Sequence, residues 1–165
     1  MQYSIRNTLH TRMLKNQYHQ YHQVWLSLEG KNLGIVTADA DLGVAVEQCV
    51  LGSLSYNGQR CTAIKMIFVH RSLSATFIEQ MVEKVSALKC GLPWEAGVSI
   101  TPLPEPSKPG YLRGLIDDAV DKGAAVVNKH LGGGELLPGS LLMRPAVVAP
   151  VTENMKLWHE VLYST

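Results

Sequence analysis

The chain has 165 residues, enough for one domain of ordinary size, and its 46% hydrophobic and 18% charged residues give the balance of a globular protein. A net charge of +1 lacks the basic excess of a nucleic-acid binder, and no apolar run reaches the ~20 residues that span a bilayer. Three cysteines without close spacing make neither a disulfide framework nor a zinc ribbon, so reduced thiols in a cytoplasmic setting are expected.

Residues 1–23 are polar and rich in His, Gln, Asn and Tyr, the composition of a solvated terminal segment distinct from the domain after it. His19 and His22 have a helical metal-ligand spacing, but no Cys, Asp or Glu stands near to complete a set, so no metal is expected. Val24 to Leu28 reads as a strand, the Glu29–Asn32 stretch as a turn, and Leu33 to Val36 as a second strand. Asp39 and Asp41 suit the start of a helix over 42–54, whose stripe is Leu42, Val46, Cys49, Val50 and Leu54. The segment Ser55-Tyr56-Asn57-Gly58-Gln59 breaks that helix. A nearly continuous apolar stretch over 63–70 then predicts a strand buried on both faces.

A second helix is predicted over 74–88, with Phe77, Ile78, Met81, Val85 and Leu88 inward. Residues 91–109 hold five prolines and read as a surface loop. A third helix over 110–122 ends at Gly123, a short strand comes next over 124–127, and 141–148 reads as a last strand interrupted by Pro145. Gly132-Gly133-Gly134 lacks the Lys-Ser/Thr of a phosphate loop and reads as a flexible connector. Helices alternating with apolar strands predict an α/β fold with a largely parallel sheet and flanking helices.

The chemistry centres on Cys61. It comes after a helix, sits in a glycine-containing loop and precedes a predicted strand, with Arg60 supplying a neighbouring cation that favours thiolate. A reactive thiol and a merely buried cysteine both fit these facts. Cys49, on an apolar helix face, and Cys90, at a helix end, read as small core residues.

The string N-G-Q-R-C-T-A around Cys61 resembles the active-site cysteine motif of the aldehyde dehydrogenase superfamily. The likeness spans about 26–160 and includes L-E-G-K-N at 28–32, D-A-D-L at 39–42, I-T-P-L-P-E-P at 100–106 and M-K-L-W-H-E at 155–160. R-C-T-A-I-K and P-L-P-E-P are similar to the NADP-dependent, non-phosphorylating glyceraldehyde-3-phosphate dehydrogenases. The resemblance implies an incomplete catalytic domain over 24–160 of that type, with a divergent tail at 161–165. It implies a thiohemiacetal and then a thioester on Cys61, with NADP or NAD as acceptor and the Cys61 backbone N–H helping to hold the oxyanion. Arg60 falls where the branch places a contact to substrate phosphate; a plain surface cation is the other reading.

The resemblance also breaks at definite residues. The family's general-base Glu aligns with Ser27, which cannot take a proton, leaving Glu29, two residues on, as candidate base or as a turn carboxylate. The second Glu of the family's E-E-x-F-G-P aligns with Val161, which cannot bind a ribose hydroxyl. Most of the dinucleotide-binding domain has no counterpart, as in a truncated gene product. Two functions are compatible with this: an NADP- or NAD-dependent aldehyde oxidoreductase, with glyceraldehyde 3-phosphate the substrate that the branch resemblance implies, or a catalytic-domain remnant without dehydrogenase turnover that keeps thiol chemistry. The expected partners are a small-molecule aldehyde and, through sheet edges, a second copy or full-length family subunits, with no nucleic acid and no membrane.

Overall fold

A computed structural model describes residues 30–160. Of the sequence expectations, the strand over 24–28, the pair His19 and His22, Ser27, Glu29 and Val161 lie outside these residues.

Strand β1 (Asn32–Val36) leads through a tight turn into helix α1 (Leu42–Leu54) and back to strand β2 (Ile64–Val69). The Asp41 carboxylate accepts from the Val44 backbone N–H at 3.0 Å and so caps α1. Strands β1 and β2 pair in parallel, with Ile35 opposite Phe68 and Val36 opposite Val69. Helix α2 (Ser74–Ser86) repeats its apolar positions every four residues, and Phe77, Met81 and Val85 are buried. They close on Val36, Val46 and Cys49, with Ile67 and Val69 packed alongside, to form the larger core.

Helix α3 (Lys108–Asp121) starts two residues before its predicted start, because Pro109 fits the first turn, where its missing N–H costs nothing. It ends at Gly123, whose φ of 99° suits a glycine. Ala119 packs with Ala124 and Met155 in a second core. Strands β3 (Ala125–Val126) and β4 (Val148–Ala149) pair antiparallel, and the one-turn helix α4 (Lys156–His159) comes last.

The expected largely parallel sheet is not confirmed: the described residues form two two-stranded sheets, of which only β1–β2 is parallel. The βαβ crossover formed as predicted through α1. The second half doubles back instead, and Pro145 and Pro150 bracket a β4 of two residues. Strand β2 is not covered on both faces: Ile67 and Val69 face the core, while Phe68 remains 40% exposed, with Trp158 edge-on at 5.8 Å. Leu33 and Ile35 on β1 are exposed as well.

The Gly132–Gly134 run is packed, not loose. The buried Asn128 donates to the Pro145 carbonyl at 2.9 Å and accepts from the Val147 N–H at 2.9 Å, and a Cβ on Gly133 would overlap its amide. Among the described residues no group of His, Cys, Asp and Glu could hold a metal ion, and no helix is long and apolar enough to cross a membrane.

Candidate active site

The turn between α1 and β2 begins with three consecutive residues in the left-handed region: Tyr56, Asn57 and Gly58, with φ of 54°, 58° and 67°. Asn tolerates this conformation better than most side chains, and Gly58 is needed because a Cβ there would stand 2.7 Å from the Ser53 carbonyl oxygen. The chain then turns over Arg60 to Ala63, closed by an Ala63 N–H to Arg60 carbonyl bond of 3.1 Å. Cys61 is exposed on this turn, Cys49 is buried and Cys90 lies between.

Three side chains hold the turn from different sides. Asn32, at the start of β1, donates to the Cys61 carbonyl at 2.6 Å and to the Ala63 carbonyl at 3.2 Å. Asn57 donates to the Thr101 carbonyl and hydroxyl at 2.9 and 2.8 Å and accepts from the Thr101 N–H at 2.9 Å. Lys65 reaches back along β2, and its ammonium donates to the Gly58 carbonyl at 2.6 Å. Beneath the turn, a Cβ on Gly30 would overlap the Cys61 carbonyl oxygen, so backbone meets backbone there. Because Cys61 precedes β2, it lies at the amino end of the parallel pair, opposite the end where open α/β sheets usually bind ligands.

The Arg60 guanidinium turns back onto α1. It donates to the Gly52 carbonyl at 3.4 Å and lies 5.7 Å from the centre of the Tyr56 ring, and its Nε is buried without a hydrogen-bond partner among the described residues. Burial lowers the pKa of Lys65, and the positive charges of Lys108 and Arg60 lower it further. Burial raises the thiol pKa of Cys49; it raises that of Cys90 too, against the pull of Arg144. Beside the turn, Tyr56, Asn57 and Gln59 face Ser99, Thr101, Pro102 and Pro104 across an open cleft of about 470 Å³.

The C-terminal motif closes the same end of the fold. Lys31 donates to the Leu157 carbonyl and, at 2.7 Å, to the Glu160 carbonyl. Burial lowers the Lys31 pKa, and the Glu160 charge opposes that shift. The Tyr111 hydroxyl donates to the Glu160 carboxylate at 3.2 Å; burial, then that charge and bond, raise its pKa. Thus L-E-G-K-N, N-G-Q-R-C and I-T-P-L-P-E-P, far apart in sequence, are joined at Asn32–Cys61 and Asn57–Thr101, and M-K-L-W-H-E joins them through Lys31. D-A-D-L, by contrast, caps α1 at the other end of β1.

A sequence model of the Aldehyde dehydrogenase family matches residues 8–163. The chain belongs to the aldehyde dehydrogenase family. It is 37% identical over 138 residues to an NADP-dependent glyceraldehyde-3-phosphate dehydrogenase of Streptococcus equinus, covering 83% of this chain and 28% of that one. The enzyme of the same name from Apium graveolens is 39% identical over 136 residues, covering 82% and 26%. The chain thus spans about a quarter of the length of these relatives.

Among solved structures, succinate-semialdehyde dehydrogenase from Burkholderia pseudomallei matches with a TM-score of 0.81 at 30% identity, covering 95% of this chain and 32% of that one. NADP-dependent glyceraldehyde-3-phosphate dehydrogenase from Bacillus halodurans C-125, complexed with NADP, matches with a TM-score of 0.71 at 36% identity, covering 78% and 26%. The aldehyde dehydrogenase family is one of oxidoreductases, and the resemblance read from N-G-Q-R-C-T-A holds across most of the chain. Sequence reasoning missed Asn32, Asn57 and Lys65. Their only signal is that each falls within a motif string matched to the family.

Proposed function

We propose that Cys61 is the nucleophile of an aldehyde-binding site like that of the NADP-dependent glyceraldehyde-3-phosphate dehydrogenases. The observation that carries this is an exposed thiol on a turn held from both sides by Asn32 and Asn57. As thiolate, the Cys61 sulfur adds to the aldehyde carbon, the C=O π pair moves to oxygen, and a proton from water completes a thiohemiacetal. Glu29, next in the chain to Gly30, is the carboxylate assigned to proton transfer, supported by the close approach of Gly30 to the Cys61 carbonyl. Arg60 is assigned to a substrate phosphate, supported by its place next to the exposed Cys61.

NADP or NAD is the oxidant that the resemblance implies. Neither the glycine run nor the start of α1 among the described residues offers a pyrophosphate cradle. The glycine run is filled by the Asn128 amide, and at the start of α1 the Asp41 carboxylate already takes a backbone N–H that an anion would need. The chemistry of the described residues therefore stops at the adduct. This favours a second reading, a catalytic-domain remnant with thiol reactivity or a subunit-interaction role and without dehydrogenase turnover. The bare Leu33 and Ile35 on β1 support its pairing with a second copy or with a longer family subunit. Three free thiols support a reducing, cytoplasmic setting.

One experiment separates these readings. The chain is mixed with glyceraldehyde 3-phosphate and NADP, NADPH is followed by fluorescence, and alkylation of each cysteine is followed by mass spectrometry. Slowing of Cys61 alkylation by the aldehyde supports the nucleophile in both readings. NADPH that vanishes in Cys61→Ala then selects the oxidoreductase, and its absence selects the remnant. No protection of Cys61 and no NADPH would remove both.

A further inference from the structure

Asn57 is the only asparagine of the chain that is followed by glycine. In such a pair the glycine's backbone nitrogen, shielded by no side chain of its own, can attack the asparagine Cγ. The new N–Cγ bond closes a succinimide ring, and the side-chain nitrogen leaves as ammonia, taking the proton of the glycine N–H. Water then opens the ring at one of its two carbonyls and leaves aspartate or isoaspartate. No oxidant and no cofactor enter.

Three features of the fold oppose that closure. The Asn57 amide is held at both ends by Thr101, donating to its carbonyl and hydroxyl and accepting from its N–H. At a ψ of 23°, the Gly58 nitrogen is turned away from the Asn57 Cβ, on the far side of the Cα–C bond. Gly58 is buried, and its carbonyl is fixed by the Lys65 ammonium at 2.6 Å.

We propose that Asn57–Gly58 is a spontaneous deamidation site gated by the contact with Thr101, so that opening of the turn leaves a permanent covalent record. Ring closure needs the amide released and the backbone rotated, and both follow when the turn swings away from Thr101. The product does not restore the contact. An aspartate still accepts from the Thr101 N–H, but its other oxygen meets the Thr101 carbonyl where the amide donated. Isoaspartate adds a backbone carbon to a turn already packed against the Ser53 carbonyl. The modified turn leads straight into Cys61, yet the inference needs only the turn and not the reactivity of that thiol.

The test incubates the full chain at mildly alkaline pH and follows aspartate and isoaspartate at position 57 by peptide mapping. A synthetic peptide of residues 52–63 gives the rate without the fold. The parent is expected to convert at least about tenfold more slowly than the peptide. Thr101→Val, which loses the hydroxyl bond alone, should convert about threefold faster than the parent, and Thr101→Ser at the parent's rate. A parent as fast as the peptide, or Thr101→Val as slow as the parent, overturns the gate. Should Thr101→Val fail to fold, the parent in urea below its unfolding transition takes its place. A rate that climbs with urea supports opening as the gate, and a flat rate overturns it. The deamidated parent, separated by anion exchange on its added negative charge, should exchange its Thr101 and Ala63 N–H groups faster than the unmodified chain. Equal exchange would show that the contact survives the modification and would dismiss the permanent record.

Discussion

The side-chain amide of Asn32 donates a 2.6 Å hydrogen bond to the carbonyl of Cys61 and a second, 3.2 Å bond to that of Ala63. One residue at the start of β1 thus sets the position of the turn in front of β2. Replacing it with Ala should cost about 1–2 kcal/mol, the range for a pair of part-exposed hydrogen bonds. Asn32→Asp should cost more, because a carboxylate would face two carbonyl oxygens. Chemical denaturation checks the energies, and hydrogen exchange at Cys61 to Ala63 should rise in both variants; unchanged exchange there would deny Asn32 its role.

Gly30 makes the complementary contact, and there the constraint is steric. A Cβ at this position would overlap the Cys61 carbonyl oxygen, so Gly30→Ala must push backbone from backbone. The expected loss is about 1–3 kcal/mol, as for overpacking elsewhere, together with a change in the Cys61 alkylation rate. A variant matching the parent in both would show that this approach is not tight.

Asn57 carries three hydrogen bonds to Thr101 while in the left-handed region at φ of 58°. Asn57→Gly loses the bonds but relieves the backbone; Asn57→Ala loses the bonds and keeps a side chain in the left-handed region. Ala should therefore destabilise by about 1 kcal/mol more than Gly. Equal thermal midpoints for the two variants would contradict the left-handed geometry. Both should also loosen the cleft between Tyr56 and Pro104.

Alkylation as a function of pH should separate Cys49 and Cys90 from a free thiol. Burial raises both above the ordinary value of 9.0, disfavouring thiolate at neutral pH. Their iodoacetamide labelling should thus keep rising beyond pH 9.0. A plateau for either below that pH would argue against its burial.

Asp118 links α3 to the C-terminal motif. Its carboxylate accepts from the Lys156 N–H at 2.8 Å and from the Lys122 ammonium at 2.8 Å, while Lys122 also donates to the Asn154 carbonyl at 2.7 Å. The Lys122 bond first, then the Lys156 bond, lower the Asp118 pKa below 3.8. A depressed carboxylate stabilises the fold fully above its unfolded value and loses that contribution as pH falls through the folded one. The midpoint gap between parent and Asp118→Asn should be constant above about pH 5 and narrow below 3.8. A gap independent of pH would mean the carboxylate's charge contributes nothing.

The helices were legible because local rules fix them. Asp41 caps α1 as an acceptor should, and the four-residue spacing of Phe77, Met81 and Val85 makes one face whatever lies opposite. The sheet was legible only where the crossover helix dictates its direction, at β1 and β2. The alternation in β2 was hidden because Phe68 is apolar like its neighbours, and only the absence of a covering layer among the described residues leaves it exposed. At the candidate site, Cys61 was proposed from its motif string. Asn32 and Asn57 act on groups 29 and 44 residues away, and no local pattern encodes such a pairing.

The placement of Cys61 at the amino end of the β1–β2 pair has a practical consequence. The opposite end, at Thr37 to Ala40 and His70 to Leu73, is separated from it by about 16 Å of strand, the rise of five residues. A fluorophore or affinity handle grafted there would report on folding without crowding the thiol. The two ends of this small sheet can thus be engineered independently, one as an instrument and the other as the object it measures.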